Sequence, residues 1–309
     1  VTVEYRPAKR ADISLLILLA GGTGSGKTES AMRLAAGLAS GKRFAVLDTE
    51  NGRALHKADD YEFDHAPLEE PFTPERYIEA VKAADAAGYP VIVVDSGSHE
   101  YDGPGGLLDM QAEEFKRLGG TAAVSPLSWS EPKKRDRRYR QTLITASAHV
   151  ILCLRAEDKI EIVKKDGKTV IQPLSTIPGK SVDGWSPICE KRLPFEATVS
   201  LLMTADAPGV PKPIKLEKRH QPLVPLDAQL DEKVGLALAE WARGSRKPPA
   251  AKPDTRELEE ELLALADGLG MREETEAAIE RKRSEAKFPE WLAAQTERAR
   301  EKAAEAVTA

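Results

Sequence analysis

Residues 21–28 read Gly21-Gly22-Thr23-Gly24-Ser25-Gly26-Lys27-Thr28, a full match to the phosphate-binding pattern G-x-x-x-x-G-K-[ST]. The glycines let the backbone curl until successive N–H groups point inward at phosphate oxygens. Lys27 is placed to reach the β- and γ-phosphates of a nucleotide, and the Thr28 hydroxyl is a ligand for Mg²⁺. The flanks agree. Residues 13–20 form an apolar run of strand length, suited to a buried central strand. Downstream, Ala31, Leu34, Ala35 and Leu38 recur at helical spacing before Gly41, which stops a helix. Strand, loop, helix is the order the motif demands, and the positive end of that helix also favours an anion.

The chain around this loop has 309 residues, 41% hydrophobic and 31% charged. That composition predicts a soluble globular protein with one large domain and a smaller appendage. No apolar run approaches the roughly 20 residues that span a bilayer, and the start of the sequence has no signal-peptide layout. Cys153 and Cys189 are far apart, and Cys153 lies in an apolar run. They predict a core thiol and a reducing cytoplasm rather than a disulfide framework. The five histidines are scattered and suggest no metal centre. Net charge is −5 overall, but residues 254–309 hold 15 acidic and 9 basic side chains. The remainder is near neutral, so any nucleic-acid contact needs a local basic patch.

Strands and helices alternate outward from the loop. Residues 44–48 and 90–95 read as strands, with an irregular stretch over 51–72 and a helix over 74–87 between them. Thr73 and Pro74 suit that helix's cap and first turn. Helices are predicted over 107–118 and 130–147, and a fourth strand over 149–154. This alternation argues for a mainly parallel sheet with helices on both faces. After residue 154 the texture changes. Residues 160–163 and 169–172 flank an Asp166-Gly167 hairpin signal, residues 195–204 and 213–217 read as late strands, and 228–243 as a helix. Residues 244–253 have linker composition, and residues 254–309 are expected to be helical. The predicted domains are therefore 1–243, a linker at 244–253, and a C-terminal helical segment.

A nucleotide site needs a second acidic group for Mg²⁺ at the end of a buried strand. Asp95 follows four apolar residues and fits. Hydrolysis also needs a group that orients or deprotonates water. Ser96 stands directly after Asp95, so that carboxylate comes from elsewhere. Glu50 in Leu47-Asp48-Thr49-Glu50 is the candidate, because parallel strand ends converge on one ligand crevice; Glu100 is its rival. The densest basic cluster, Lys133-Lys134-Arg135-Asp136-Arg137-Arg138-Tyr139-Arg140, offers phosphate contacts through Lys133, Lys134, Arg137 and Arg138. Trp129 and Trp185 are available to stack on bases. A solvated helix face and core tryptophans are the plainer reading of the same residues.

Taken together, Gly21–Thr28, Leu47-Asp48-Thr49-Glu50 and Val91-Ile92-Val93-Val94-Asp95-Ser96 resemble the RecA-like P-loop ATPases. More narrowly, residues from about 10 to 225 resemble the phage-encoded, AAA-type members of that group, some of which act in single-strand annealing and recombination. That likeness rests on Asp48-Thr49-Glu50-Asn51-Gly52-Arg53-Ala54, on residues 71–77, and on Val94-Asp95-Ser96-Gly97-Ser98-His99-Glu100. The last 55 or so residues lie outside it. The resemblance implies a RecA-like core, ATP, Mg²⁺, single-stranded DNA and homo-oligomers. It implies a γ-phosphate sensor at Arg155, an arginine where bacterial recombinases carry an amide. It also implies a contact across a subunit boundary from Lys218. The loops 101–130 and 156–182 would face the DNA, the second with Lys159, Lys164, Lys165, Lys168 and Lys180. Two further readings stay open: a nucleotide-gated loader or assembly factor that binds a protein through the C-terminal helices, and a small-molecule or nucleotide kinase.

Overall fold

The computed structural model describes residues 10, 13–165, 168–174, 177, 180–244, 255–283 and 288–308. The chain divides into two compact units, Val1–Pro249 and Ala250–Ala309.

The larger unit is built on β1 (Leu16–Gly21), whose six residues are all buried. A strand alternates its side chains between two faces, and β1 feeds two cores. Ile17 and Leu19 join one with α1 (Lys27–Ala39) and α8 (Glu232–Ala242). Leu16, Leu18 and Ala20 join the other with α2 (Pro74–Ala86) and α6 (Ser130–Thr145). The same division runs through β4 (Val91–Asp95) and β5 (His149–Asp158), and Cys153 is buried in the first core. β1 lies between β5 and β9 (Val199–Met203), and β5 is followed by β4, β2 (Phe44–Asp48) and β3 (Phe63–Pro67). These six parallel strands are completed at the other edge by β10 (Lys212–Lys215), antiparallel to β9, while β8 (Trp185–Pro187) pairs antiparallel with the end of β5. The expected α/β architecture, mainly parallel with late antiparallel strands, is present.

Among the described residues, two connections between strands carry short α-helices. α3 (His99–Asp102) and α4 (Leu107–Arg117) follow β4; α5 (Ser125–Ser128) leads into α6; α7 (Leu193–Glu196) precedes β9. A separate antiparallel ladder pairs β6 (Ile160–Lys165) with β7 (Lys168–Pro173). The anticipated Asp166-Gly167 turn lies outside the described residues, as do the side chains of Lys165 and Lys168.

Several boundaries differ from expectation. Residues 51–72 are not wholly irregular: β3 adds to the sheet edge there. Only Phe63 of its five residues is buried, so it shows no apolar alternation. The fourth strand runs on to Asp158, because its end finds a partner in β8. The helix expected from 228 begins at Glu232, where the Asp231 side chain accepts a hydrogen bond from Val234 N at 2.9 Å and caps it. The first residues of the strand expected over 195–204 belong instead to α7.

The smaller unit holds α9 (Thr255–Gly268), α10 (Arg272–Lys282) and α11 (Phe288–Thr308). Leu258, Leu262, Ile279, Phe288 and Leu292 form its core. Arg300 donates two hydrogen bonds to Glu261, at 2.7 and 2.8 Å. Apart from Gly244, the anticipated linker lies outside the described residues.

Candidate nucleotide site

Sheet register assembles the site. Gly21 at the end of β1 pairs with Arg155 of β5, and Asp48 of β2 pairs with Asp95 of β4. Four parallel strands therefore deliver their ends to one edge, where a crevice forms. A cavity of about 600 Å³ opens there, lined by the whole of Gly21–Thr28 together with Glu50, Asp95 and Arg155.

The loop takes the shape its glycines permit. Gly24 and Gly26 have φ of 75° and 85°, a region L side chains avoid. A Cβ on Gly26 would also stand 2.7 Å from Gly209 N, which donates to Ser25 O at 2.9 Å. Ser25 Oγ donates to Gly22 O at 2.8 Å, and Lys27 Nζ donates to the same carbonyl at 2.9 Å. The lysine thus lies folded over the loop's hollow. Trp185, expected to be free for stacking on a base, packs instead on the core beside the loop, and its ring would be 3.2 Å from a Cβ on Gly22.

Thr28 Oγ1 donates to Asp95 Oδ2 at 2.6 Å. Asp95 is only 6% exposed, and burial pushes its carboxyl up to about 6, against the lowering effect of the Thr28 hydrogen bond. Two hard oxygens side by side, next to a phosphate cradle, suit Mg²⁺, which takes few protein ligands and completes its shell with phosphate and water. Among the described residues no cluster of three or more His, Cys, Asp or Glu side chains forms a metal cage.

Glu50 enters the cavity because the turn after β2 is pinned. Asp48, 2% exposed, accepts from Glu50 N at 2.6 Å and Ala54 N at 2.9 Å, with His65 Nε2 3.1 Å from its second oxygen. Asn51 and Gly52 turn the chain at positive φ. Thr49 ties this turn to the neighbouring strand end, since Thr49 N donates to Asp95 O and Ser96 N donates to Thr49 Oγ1, both at 2.8 Å. Glu50 Oε2 accepts from Arg53 Nη1 at 3.1 Å. Sequence reading passed over Asp48. The one signal available was its place at the end of an apolar strand, which it shares with Asp95.

Glu100, the rival to Glu50, does not line this cavity. It is buried on α3, and burial, with the Asp136 charge nearby, raises its carboxyl well above the usual carboxylate range. Arg155 does line the cavity. Its Nη2 donates to Asp102 Oδ1 at 2.5 Å, and its backbone N donates to Ser98 Oγ at 2.8 Å.

The basic residues nominated for DNA stand in different local settings. Lys133 lines a hollow with Trp129. Lys134 pairs with Glu131 on its own helix, and Arg137 and Arg138 line a groove with Glu75 and Glu79. Arg135 is drawn to Glu75, and Arg140 is buried against Asp136 at 2.8 Å and Glu196. Lys164 is exposed on β6, and the side chain of Lys165 lies outside the described residues. Lys218 is exposed after β10, away from its own cavity. No helix of the described residues is long and apolar enough to cross a membrane.

No curated protein matches the chain. The family described as "AAA domain" matches residues 14–187, more than half of the chain. That match takes in all four strand ends that meet at the cavity, and on this ground the chain belongs to the AAA-domain family and is a nucleotide-binding ATPase of the P-loop type.

Proposed function

We propose that the protein hydrolyses ATP with Mg²⁺ and couples that cycle to single-stranded DNA, in recombination or annealing of the phage type. The observation that carries the reading is the single cavity shared by the loop, Glu50, Asp95 and Arg155. The triphosphate lies along the amides of Gly21–Thr28. Lys27 leaves the Gly22 carbonyl for the β- and γ-phosphates. Thr28 and Asp95 hold Mg²⁺, which supplies neutralising charge to the phosphates. Glu50 orients the attacking water and takes its proton. Arg155, whose planar guanidinium suits a phosphate, senses the γ-phosphate. Homo-oligomers form on the strand, and Lys218 reaches across to a neighbouring copy. Its exposure outside its own cavity supports that role.

The deciding experiment is the ATPase rate with and without single-stranded DNA across salt concentrations. Stimulation by DNA that fades with salt is expected, since phosphate contacts release counterions. No effect of DNA at low salt overturns the DNA part; no hydrolysis with retained ATP binding overturns the ATPase part. Glu50→Gln is expected to bind ATP and turn it over about a hundredfold more slowly. Glu100→Gln should turn over normally, because Glu100 does not line the nucleotide cavity. The opposite pattern would move the base to Glu100.

A nucleotide-gated loader is the second reading. A hollow on the smaller unit, lined by Leu262, Met271 and Trp291 among others, favours it. Under that reading, removal of residues 254–309 abolishes partner capture while leaving DNA stimulation absent.

A further inference from the structure

Beside α6 lies a second hollow, of about 390 Å³, that the nucleotide site does not use. Its volume is that of a small-molecule site, far too small for a duplex. Two half-buried aromatic rings face it, Tyr101 from α3 and Trp129 from the start of α6. Lys133 stands with its Nζ 5.4 Å from the Trp129 ring centre. Lys133, Lys180 and Lys191 line the hollow, are exposed, and have no carboxylate partner among the described residues. Into this basic, aromatic setting the chain places one acid. Glu190 is 6% exposed. Its one described side-chain hydrogen bond is from Arg192 N to Oε2, at 2.7 Å, so Oε1 is left for a ligand.

These groups match the parts of one nucleotide. Lysines take phosphate, aromatic faces take an unstacked base, and a buried carboxylate, which only accepts hydrogen bonds, takes an amino group. We propose that this hollow receives a single base of a single-stranded nucleic acid and that Glu190 selects bases with an exocyclic amine. Adenine, cytosine and guanine present that amine on the Watson–Crick edge. Thymine presents one N–H between two carbonyl oxygens, and a carboxylate repels both. The inference rests on the single-strand reading above and adds a base preference to it.

Fluorescence anisotropy with short labelled homopolymers of dA, dC and dT, titrated with the full chain, tests it. Wild type is expected to bind dC and dA about tenfold more tightly than dT. In Glu190→Gln the amide also donates, so dT gains and the ratio falls towards one. The ratio is taken within one preparation, so an inactive fraction cancels. Trp129→Leu should weaken all three polymers by about tenfold while leaving the ratio in place. Equal binding of the three polymers by wild type, or an unchanged ratio in Glu190→Gln, overturns the base pocket and leaves the single-strand reading standing. No binding of any polymer at low salt overturns both.

Discussion

Glu50 owes its position to Asp48, which satisfies two backbone N–H groups of the turn and faces His65. Asp48→Ala would leave those buried donors unpaired. The expected cost is about 2–3 kcal/mol, read by urea melting, with turnover falling more than ATP affinity because the phosphate loop hangs from another strand. His149 sets a second residue-scale expectation. Its Nδ1 accepts from Leu15 N at 3.1 Å, so the bond needs that nitrogen unprotonated. Burial, helped by the Arg243 charge, pushes its pKa from 6.5 down to about 4. The unfolded chain therefore binds the proton first as pH falls. Stability contributed by neutral His149 is full above 6.5 and is lost as pH drops towards about 4. The loss should be on the order of 2 kcal/mol, and His149→Gln should flatten that part of the pH–stability curve. Melts at pH 7 and pH 5 check both proteins.

At the level of elements, α1 and α8 touch through glycines. A Cβ on Gly37 would stand 2.0 Å from Glu232 O, and one on Gly235 would stand 2.3 Å from Leu34 O. Gly37→Ala should then destabilise by about 1–3 kcal/mol through overpacking, although alanine normally favours a helix over glycine; thermal melting reads the sign. Such a contact has no sequence signal, since it depends on two helices nearly two hundred residues apart. Legibility followed the same division elsewhere. The phosphate loop was readable because its shape is local. That Glu50 and Asp95 reach one cavity was legible, because parallel strands bring their ends together whatever the side chains between them. The α6 cluster carries a second pattern beside its basic residues. Asp136, Tyr139, Arg140 and Leu143 share helical spacing and are all buried, with Arg140 turned inward to its acids. Edge strand β3 stayed hidden because pairing with β2 on one side leaves little apolar pattern in its own residues.

Over the whole molecule, every described side chain of the nucleotide cavity belongs to the larger unit. The smaller unit has its own core. A chain ending at residue 249 should therefore bind ATP with unchanged affinity and melt within a degree or so of the first transition of the full chain; a large fall in either would tie the C-terminal helices to the stability of the larger unit. The β6–β7 ladder, in turn, pairs with itself and, among the described residues, with no strand of the central sheet. Cargo attached there burdens none of the main ladder's hydrogen bonds. A dye coupled to a cysteine engineered at exposed Lys164, in a chain whose half-buried Cys189 is replaced by serine, would thus make a reporter of whatever approaches that arm, with the native thiol of Cys153 shielded from the label by the core.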